Sequence, residues 1–159
     1  GRRVSIEMRA GVSFFGQLGV EMDPRELSDH EMQALSDIIA LHKKHRTLIH
    51  SGELVRLDTD GNSIDFGIVN SDKSHALYAY NSITETKRTV PKKYRFTGLD
   101  AAKTYQFNKI WPTRLKEYSP SILAKIEGQQ ISGQALIQVG MQLPISFPQT
   151  TLIFELKEV

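Results

Sequence analysis

No cysteine occurs among the 159 residues, which excludes a disulfide framework, a thiolate zinc site, an iron–sulfur cluster and a cysteine nucleophile. No run of about 18 apolar residues is present, so the sequence shows no transmembrane helix. The opening Gly1-Arg2-Arg3-Val4-Ser5-Ile6-Glu7 lacks the apolar core of an export signal. These two absences make a cytoplasmic protein with no membrane partner the expectation. Charge of one sign is lacking too: 20 Lys and Arg face 18 Asp and Glu, and a net charge of +2 is too weak to call for a nucleic-acid partner. Low-complexity tracts and internal repeats are missing as well. The opening also lacks an initiator Met and reads like the middle of a longer sequence.

What is present divides into two parts by period. Val4, Met8, Val12 and Phe15 recur every three or four residues and predict a helix over 3–13 with one apolar face. Gly16 and Gly19 then disfavour a helix interior, and a short buried strand is expected from Leu18 to Met22, closed by Pro24. Ser28 and Glu31 form the signature of a capping box, opening a helix over 29–50 with Met32, Leu35, Ile38, Ile39, Leu48 and Ile49 on its apolar side. His42, Lys43, Lys44, His45 and Arg46 complement the negative end of that helix, and Ser51-Gly52 stops it.

From Glu53 the period falls to two. Strands are expected at Leu54 to Leu57, Ile64 to Val69, Ala76 to Asn81, Tyr94 to Phe96, Thr104 to Ile110, Ile122 to Ile126 and Thr150 to Leu156. Turn clusters such as Asp58-Thr59-Asp60-Gly61-Asn62 separate them, and residues 127–149 read as a long connection holding a turn of helix. Short antiparallel strands without βαβ helices predict a sandwich or barrel.

Several constellations could carry chemistry. Glu21 and Asp23 would share a strand face at about the carboxylate spacing of glycosidases, but acids before a Pro and a helix more often cap and turn the chain. His42, His45 and His50, with His30, invite a metal reading; without an HExxH spacing or an intervening carboxylate, a solvated helix end is the preferred one. Ser13 lacks a nucleophile-elbow context, and Gly16-Gln17-Leu18-Gly19 does not have the spacing of a phosphate loop. Lys87, Arg88, Lys92, Lys93 and Arg95 around Tyr94 could bind a polyanion, although an edge strand blunted by lysines is the simpler account. Trp111 with Tyr105, Tyr78 and Tyr80 could stack on a sugar, but aromatics alternating on strands more often form core.

The stretch from Met8 to Asp23 resembles the end of the catalytic barrel in bacterial α-galactosidases of glycoside hydrolase family 36, the melibiase and raffinose-hydrolysing enzymes. Their pattern there is an Arg, a small residue, then Phe/Met-Gly-x-Leu/Phe-Gly-x-Glu-x-Asp, a Leu-Ser step and a long helix. Arg9, Phe15-Gly16, Leu18-Gly19, Glu21, Asp23 and Leu27-Ser28 follow it. Ile39-Ala40-Leu41-His42-Lys43-Lys44-His45-Arg46 resembles the family's Ile-x-x-Tyr-Lys-x-x-Arg, with His42 in place of Tyr. Arg56-Leu57, Gly98-Leu99-Asp100 and the glycines and leucine of Ser132-Gly133-x-x-Leu136-x-x-x-Gly140 are similar to its terminal β-domain.

The resemblance implies an α+β chain: the last strand and two helices of a TIM barrel over 1–50, then an antiparallel β-sandwich over 51–159. It implies a C-terminal fragment of a retaining hydrolase that releases terminal α-galactose from oligosaccharides such as melibiose and raffinose. Such enzymes use one aspartate as nucleophile and another as acid/base. Both would lie upstream of Gly1, so no residue here is assigned a catalytic, cofactor-binding or metal-binding role. Glu21 and Asp23 match the family's Glu-x-Asp and are expected to be structural. A homo-oligomer without cofactor is implied, and a non-catalytic carbohydrate-binding module or a polyanion-binding β-domain are the alternatives. An isolated piece of barrel would expose Val4, Met8, Phe14, Phe15, Leu18 and Val20. Residues 1–25 are therefore expected to pack on another copy, to fold differently onto the sandwich, or to be poorly ordered.

Overall fold

A computed structural model describes residues 4–58, 61–85, 92–113, 122–144 and 146–159. Ser5 starts helix α1 (Ile6–Ser13) by accepting a hydrogen bond from the Met8 amide. The chain then descends to a single 3-10 turn at Pro24–Glu26, capped by Asp23. Helix α2 (Asp29–Ser51) opens on the expected capping box: the Ser28 hydroxyl accepts from the Glu31 amide, and the Glu31 carboxylate accepts from the Ser28 amide.

Six strands follow: β1 (Glu53–Arg56), β2 (Ser63–Val69), β3 (His75–Ser82), β4 (Thr104–Trp111), β5 (Gln130–Ser132) and β6 (Thr150–Glu158). They form one antiparallel sheet in the order β1-β2-β3-β6-β4-β5. The last strand therefore runs through the middle, between β3 and β4. Alternation along β6 sends Leu152, Phe154 and Leu156 to one face and Ile153 to the other, so both faces are apolar.

One face carries the helices. Ile6, Ala10 and Phe14 of α1 and Ala34, Leu35, Ile38, Leu48 and Ile49 of α2 pack on Ile68, Leu77 and Ile153. α1 approaches so closely that a Cβ on Gly11 would collide with Thr151. The other face is covered by Tyr94, Phe96, Leu99, Leu123, Leu136, Met141 and Leu143. Among the described residues the partner layer of the expected sandwich consists of these loops, one antiparallel bridge between Tyr94 and Met141, helix α3 (Ile122–Ile126) and a π-turn at Ala135–Val139.

Several expectations need correction. Leu18 to Met22 is not a strand: it pairs with none of the described strands, and Leu18 and Met22 instead pack on the helix-side core, while Val20 is exposed. Ile122 to Ile126 is helical, and the three-residue spacing of Leu123 and Ile126 places both against the same core. α1 buries chiefly a row other than the one expected: Ile6, Ala10 and Phe14 pack in the helix-side core and Val12 is 54% exposed, although Met8 of the expected row accepts from the Thr151 hydroxyl of β6. The segment that was expected to lack a partner, including Phe14, Phe15 and Leu18, thus packs on the chain's own sheet and α2.

Candidate functional site

Three strongly polar side chains meet where α2 crosses the sheet. Glu155 stands in β6 among Leu152, Ile153, Phe154 and Leu156, and the pleat aims it at the helices; it is 4% exposed. His75, the first residue of β3, pairs diagonally with it, and its Nε2 lies 2.9 Å from Glu155 Oε1. His45 enters from α2 with its Nδ1 3.7 Å from the same oxygen, beyond hydrogen-bond reach. The ring is 2% exposed and neither nitrogen has a hydrogen-bond partner. Phe14 lies edge-on to it at 6.3 Å and the His75 ring is tilted at 5.7 Å. Lys44 and Lys157 flank the carboxylate at 3.8 and 3.7 Å.

Burial disfavours the His45 imidazolium, and the nearby Lys44, His75 and Lys157 add to that effect; the attraction of Glu155 opposes it, and the pKa falls to about 4. Burial pushes the Glu155 carboxyl up, but the His75 hydrogen bond and the adjoining His45, Lys44 and Lys157 outweigh it and bring the pKa down to about 2. His45 is therefore a neutral ring at pH 7, and Glu155 is a carboxylate.

Both groups make acid destabilising, for different reasons. An unfolded His45 binds its proton near pH 6.5 while the folded ring resists until about 4, so stability is full above 6.5 and falls through that window. The stability from Glu155 is full above the unfolded carboxylate range and is lost as pH falls toward 2. Urea titrations should show a loss from His45 of roughly 2.5 kcal/mol between pH 7.5 and 4.5. The loss should shrink in His45→Phe; an equal loss in that variant would remove His45 as its source.

The other sequence candidates separate. His42 faces Phe14, its Nδ1 2.9 Å from the Phe14 carbonyl oxygen, and its ring meets His50 edge-on at 6.2 Å. His30 pairs with Glu7 at 3.3 Å. The expected solvated helix end is thus wrong for His45, which is buried beside His75 and Glu155 of the sheet. Asp23 does cap and turn the chain, accepting from the Arg25 amide and guanidinium, and Glu21 is exposed, so the two do not form a paired-carboxylate site. Ser13 donates back to the Arg9 and Ala10 carbonyls.

Trp111, Tyr78 and Tyr105 are fully buried, Tyr78 and Tyr105 on one sheet face and Trp111 on the other, so they make no sugar-stacking platform. Tyr94 is buried with its hydroxyl donating to the Ala79 carbonyl, and Lys92 pairs with Asp58 at 2.7 Å. Lys87 and Arg88 lie outside the described residues. No described helix is long and apolar enough to cross a membrane. The His45–His75–Glu155 cluster was missed from sequence; its one signal is a carboxylate at an inward position of an otherwise apolar strand.

Comparison with known proteins accounts for the arrangement of helices and sheet. Residues 65–153 match the family model described as the glycosyl hydrolase family 36 C-terminal domain, and residues 1–52 match the one described as melibiase. An α-galactosidase of Escherichia coli is 30% identical over 164 residues, covering 98% of this chain and 23% of that protein. The α-galactosidase AgaA of Geobacillus stearothermophilus is 31% identical over 112 residues, 69% of this chain and 15% of that protein. A crystal structure of an AgaA variant with raffinose superposes with a TM-score of 0.82 at 26% identity, covering all of this chain and 20% of that one. The galactosidase domain of AgaSK gives 0.80 at 28% identity, again over 20% of its length. The chain spans about a fifth of such relatives. Two adjoining family models and a shared fold along the whole chain lead to one assignment: this chain belongs to glycoside hydrolase family 36.

Proposed function

We propose that the chain is the C-terminal part of a retaining α-galactosidase that releases terminal α-linked galactose from oligosaccharides such as melibiose and raffinose. Residues 1–50 finish the (β/α)8 catalytic barrel, and residues 51–159 are a β-domain that buttresses it. The fragment is structural and inactive, and the two carboxyl groups of the double displacement belong to the part of the enzyme before Gly1. The whole enzyme works in the cytoplasm as a homo-oligomer, without cofactor, membrane or nucleic acid.

The observation that carries this reading is the two-sided α1. Ile6, Ala10 and Phe14 pack it into the helix-side core, while Val4 and Val12 line an open groove on its outer side with Arg9, Ser13, Glu26, Glu31 and Met8, whose Sδ also accepts from the Thr151 hydroxyl of β6. A helix apolar on two sides belongs inside a larger body. In this reading the outer side is the seat of the rest of the barrel. Leu18 to Met22, which has no strand to pair with among the described residues, becomes the closing barrel strand there.

The test is a chimera. The matching segment of the E. coli α-galactosidase is replaced by this chain, and hydrolysis of a chromogenic α-galactoside is assayed. Activity within about tenfold of the parent is expected, a change of about 1.4 kcal/mol in the barrier. Deletion of the segment should abolish it, and the isolated chain should be inert. Turnover by the isolated chain, or an active deletion, would overturn the proposal.

A further inference from the structure

We propose that His45, His75 and Glu155 form a binding site for one divalent transition-metal ion of the zinc, copper or nickel class, pinning α2 to β3 and β6. The inference is independent of the α-galactosidase reading and departs from the expectation that no residue here ligates metal.

The geometry carries it. Each of the three residues offers a donor atom, and all three donors lie within 4.8 Å of one another. Metal bonds of 2.0–2.1 Å in a tetrahedral arrangement place donors about 3.3 Å apart. The separations of 2.9 Å from His75 Nε2 and 3.7 Å from His45 Nδ1 to Glu155 Oε1 fall on either side of that value. An ion would therefore need shifts of under about 1 Å in these two pairs. Two imidazoles and one carboxylate suit borderline ions, whereas magnesium and calcium prefer all-oxygen sets.

The second observation is the unpartnered His45 ring. It is 98% removed from solvent, and neither nitrogen meets a protein donor or acceptor. A buried polar group left unmatched forfeits the hydrogen bonds it made to water, and a bound ion would engage one of these nitrogens. The His75 side chain is 23% exposed and gives an entry path to an otherwise closed site. To ligate through Nε2, His75 carries its proton on Nδ1, so the hydrogen bond to Glu155 gives way to the ion.

Lys44 and Lys157 oppose a cation, since both stand within 4 Å of Glu155. Their side chains are 57% and 49% exposed, so they can swing into water while remaining a source of repulsion. Removing their charge should then tighten binding.

The experiment titrates the EDTA-treated, folded chain with cobalt(II), reading visible ligand-field bands, and with zinc, reading Tm. One ion per chain, low-symmetry cobalt bands and a zinc-dependent rise in Tm are expected. His75→Ala should weaken cobalt binding by at least about tenfold, and Lys44→Gln with Lys157→Gln should strengthen it. Replacing His30, His42 and His50 together by Ala should leave it unchanged. Absence of both the cobalt bands and the Tm shift in the unsubstituted chain overturns the site without reliance on any variant. Loss of binding in the triple-histidine variant, or no change in His75→Ala, overturns the assignment to these ligands.

Discussion

Trp111→Ala should lower the unfolding free energy by about 4–5 kcal/mol, read as a shift of the urea midpoint. The residue is fully buried and lies opposite Ile153 of the central strand. Its Nε1 donates to the Glu7 carbonyl oxygen at 2.9 Å, so it fastens α1 to the sheet by a hydrogen bond as well as by contact. Truncation leaves a large cavity and a carbonyl without its donor, two losses that add. The damage should be local first. Amides of α1 should lose protection from hydrogen exchange well before those of β3 and β6, whose opposite face keeps its own core. Uniform loss of protection across the sheet, or a destabilisation under about 1 kcal/mol, would show that Trp111 is not the anchor.

Trp111 also marks where a sequence reading reaches its limit. Parity along β4 places residue 111 with Tyr105 and Phe107, on the face opposite the helices. A register shift between Lys109 and Trp111 breaks that parity and turns the indole to the helix side. Nothing in the apolar pattern announces a bulge. The face of α1 was undecidable for a related reason, because Val4, Met8 and Val12 and Ile6, Ala10 and Phe14 are both apolar rows at helical spacing. Only the sheet beneath chooses between them. Ile122 to Ile126 is too short for periodicity to separate helix from strand, and β5 is a three-residue, largely polar edge.

Local rules worked where the determinants are local. The capping box and most of the apolar side of α2 need only neighbours in sequence, and both are present, although Met32 is exposed; β2, β3 and β6 stand where strands are expected, but Ile64 of β2 is exposed while Asp65 is buried, and β3 and β6 are buried on both faces. The candidate site had no such help, since His75 and Glu155 are 80 residues apart and meet only through the β3–β6 register. The resemblance to glycoside hydrolase family 36 succeeded where periodicity did not, because its motifs encode packing against elements other than those nearby in sequence.

Phe154→Ala is expected to be the most damaging single substitution, destabilising by about 5 kcal/mol and abolishing a cooperative transition at 37 °C. Phe154 is fully buried at the middle of the central strand, between Tyr78 on β3 and Lys109 on β4. Its ring lies 5.3 Å from Phe107, 5.8 Å from Tyr94 and 6.1 Å from Phe96, and Phe96 in turn meets Tyr78 at 5.0 Å. The Phe107 ring is tilted against Phe154, and the other pairs are edge-to-face, an arrangement that adds about 0.5–1.5 kcal/mol each beyond burial. Tyr94 and Phe96 come from the loop layer, whose isolated bridge joins two of its own residues, so this aromatic cluster, together with the Tyr94 and Tyr78 hydroxyls that donate to the Ala79 and Thr97 carbonyls, fastens that layer to the sheet. Unlike Trp111→Ala, the loss cannot be confined to one helix: β6 pairs on both sides, and its displacement moves Ile153 and Glu155 as well. Hydrogen exchange should therefore rise in β3, β4 and β6 together. Phe154→Leu, which retains most of the volume, should recover more than half of the loss. Selective loss of protection in the loop layer alone would show that the two faces of the sheet are less tightly coupled through β6 than its central position requires.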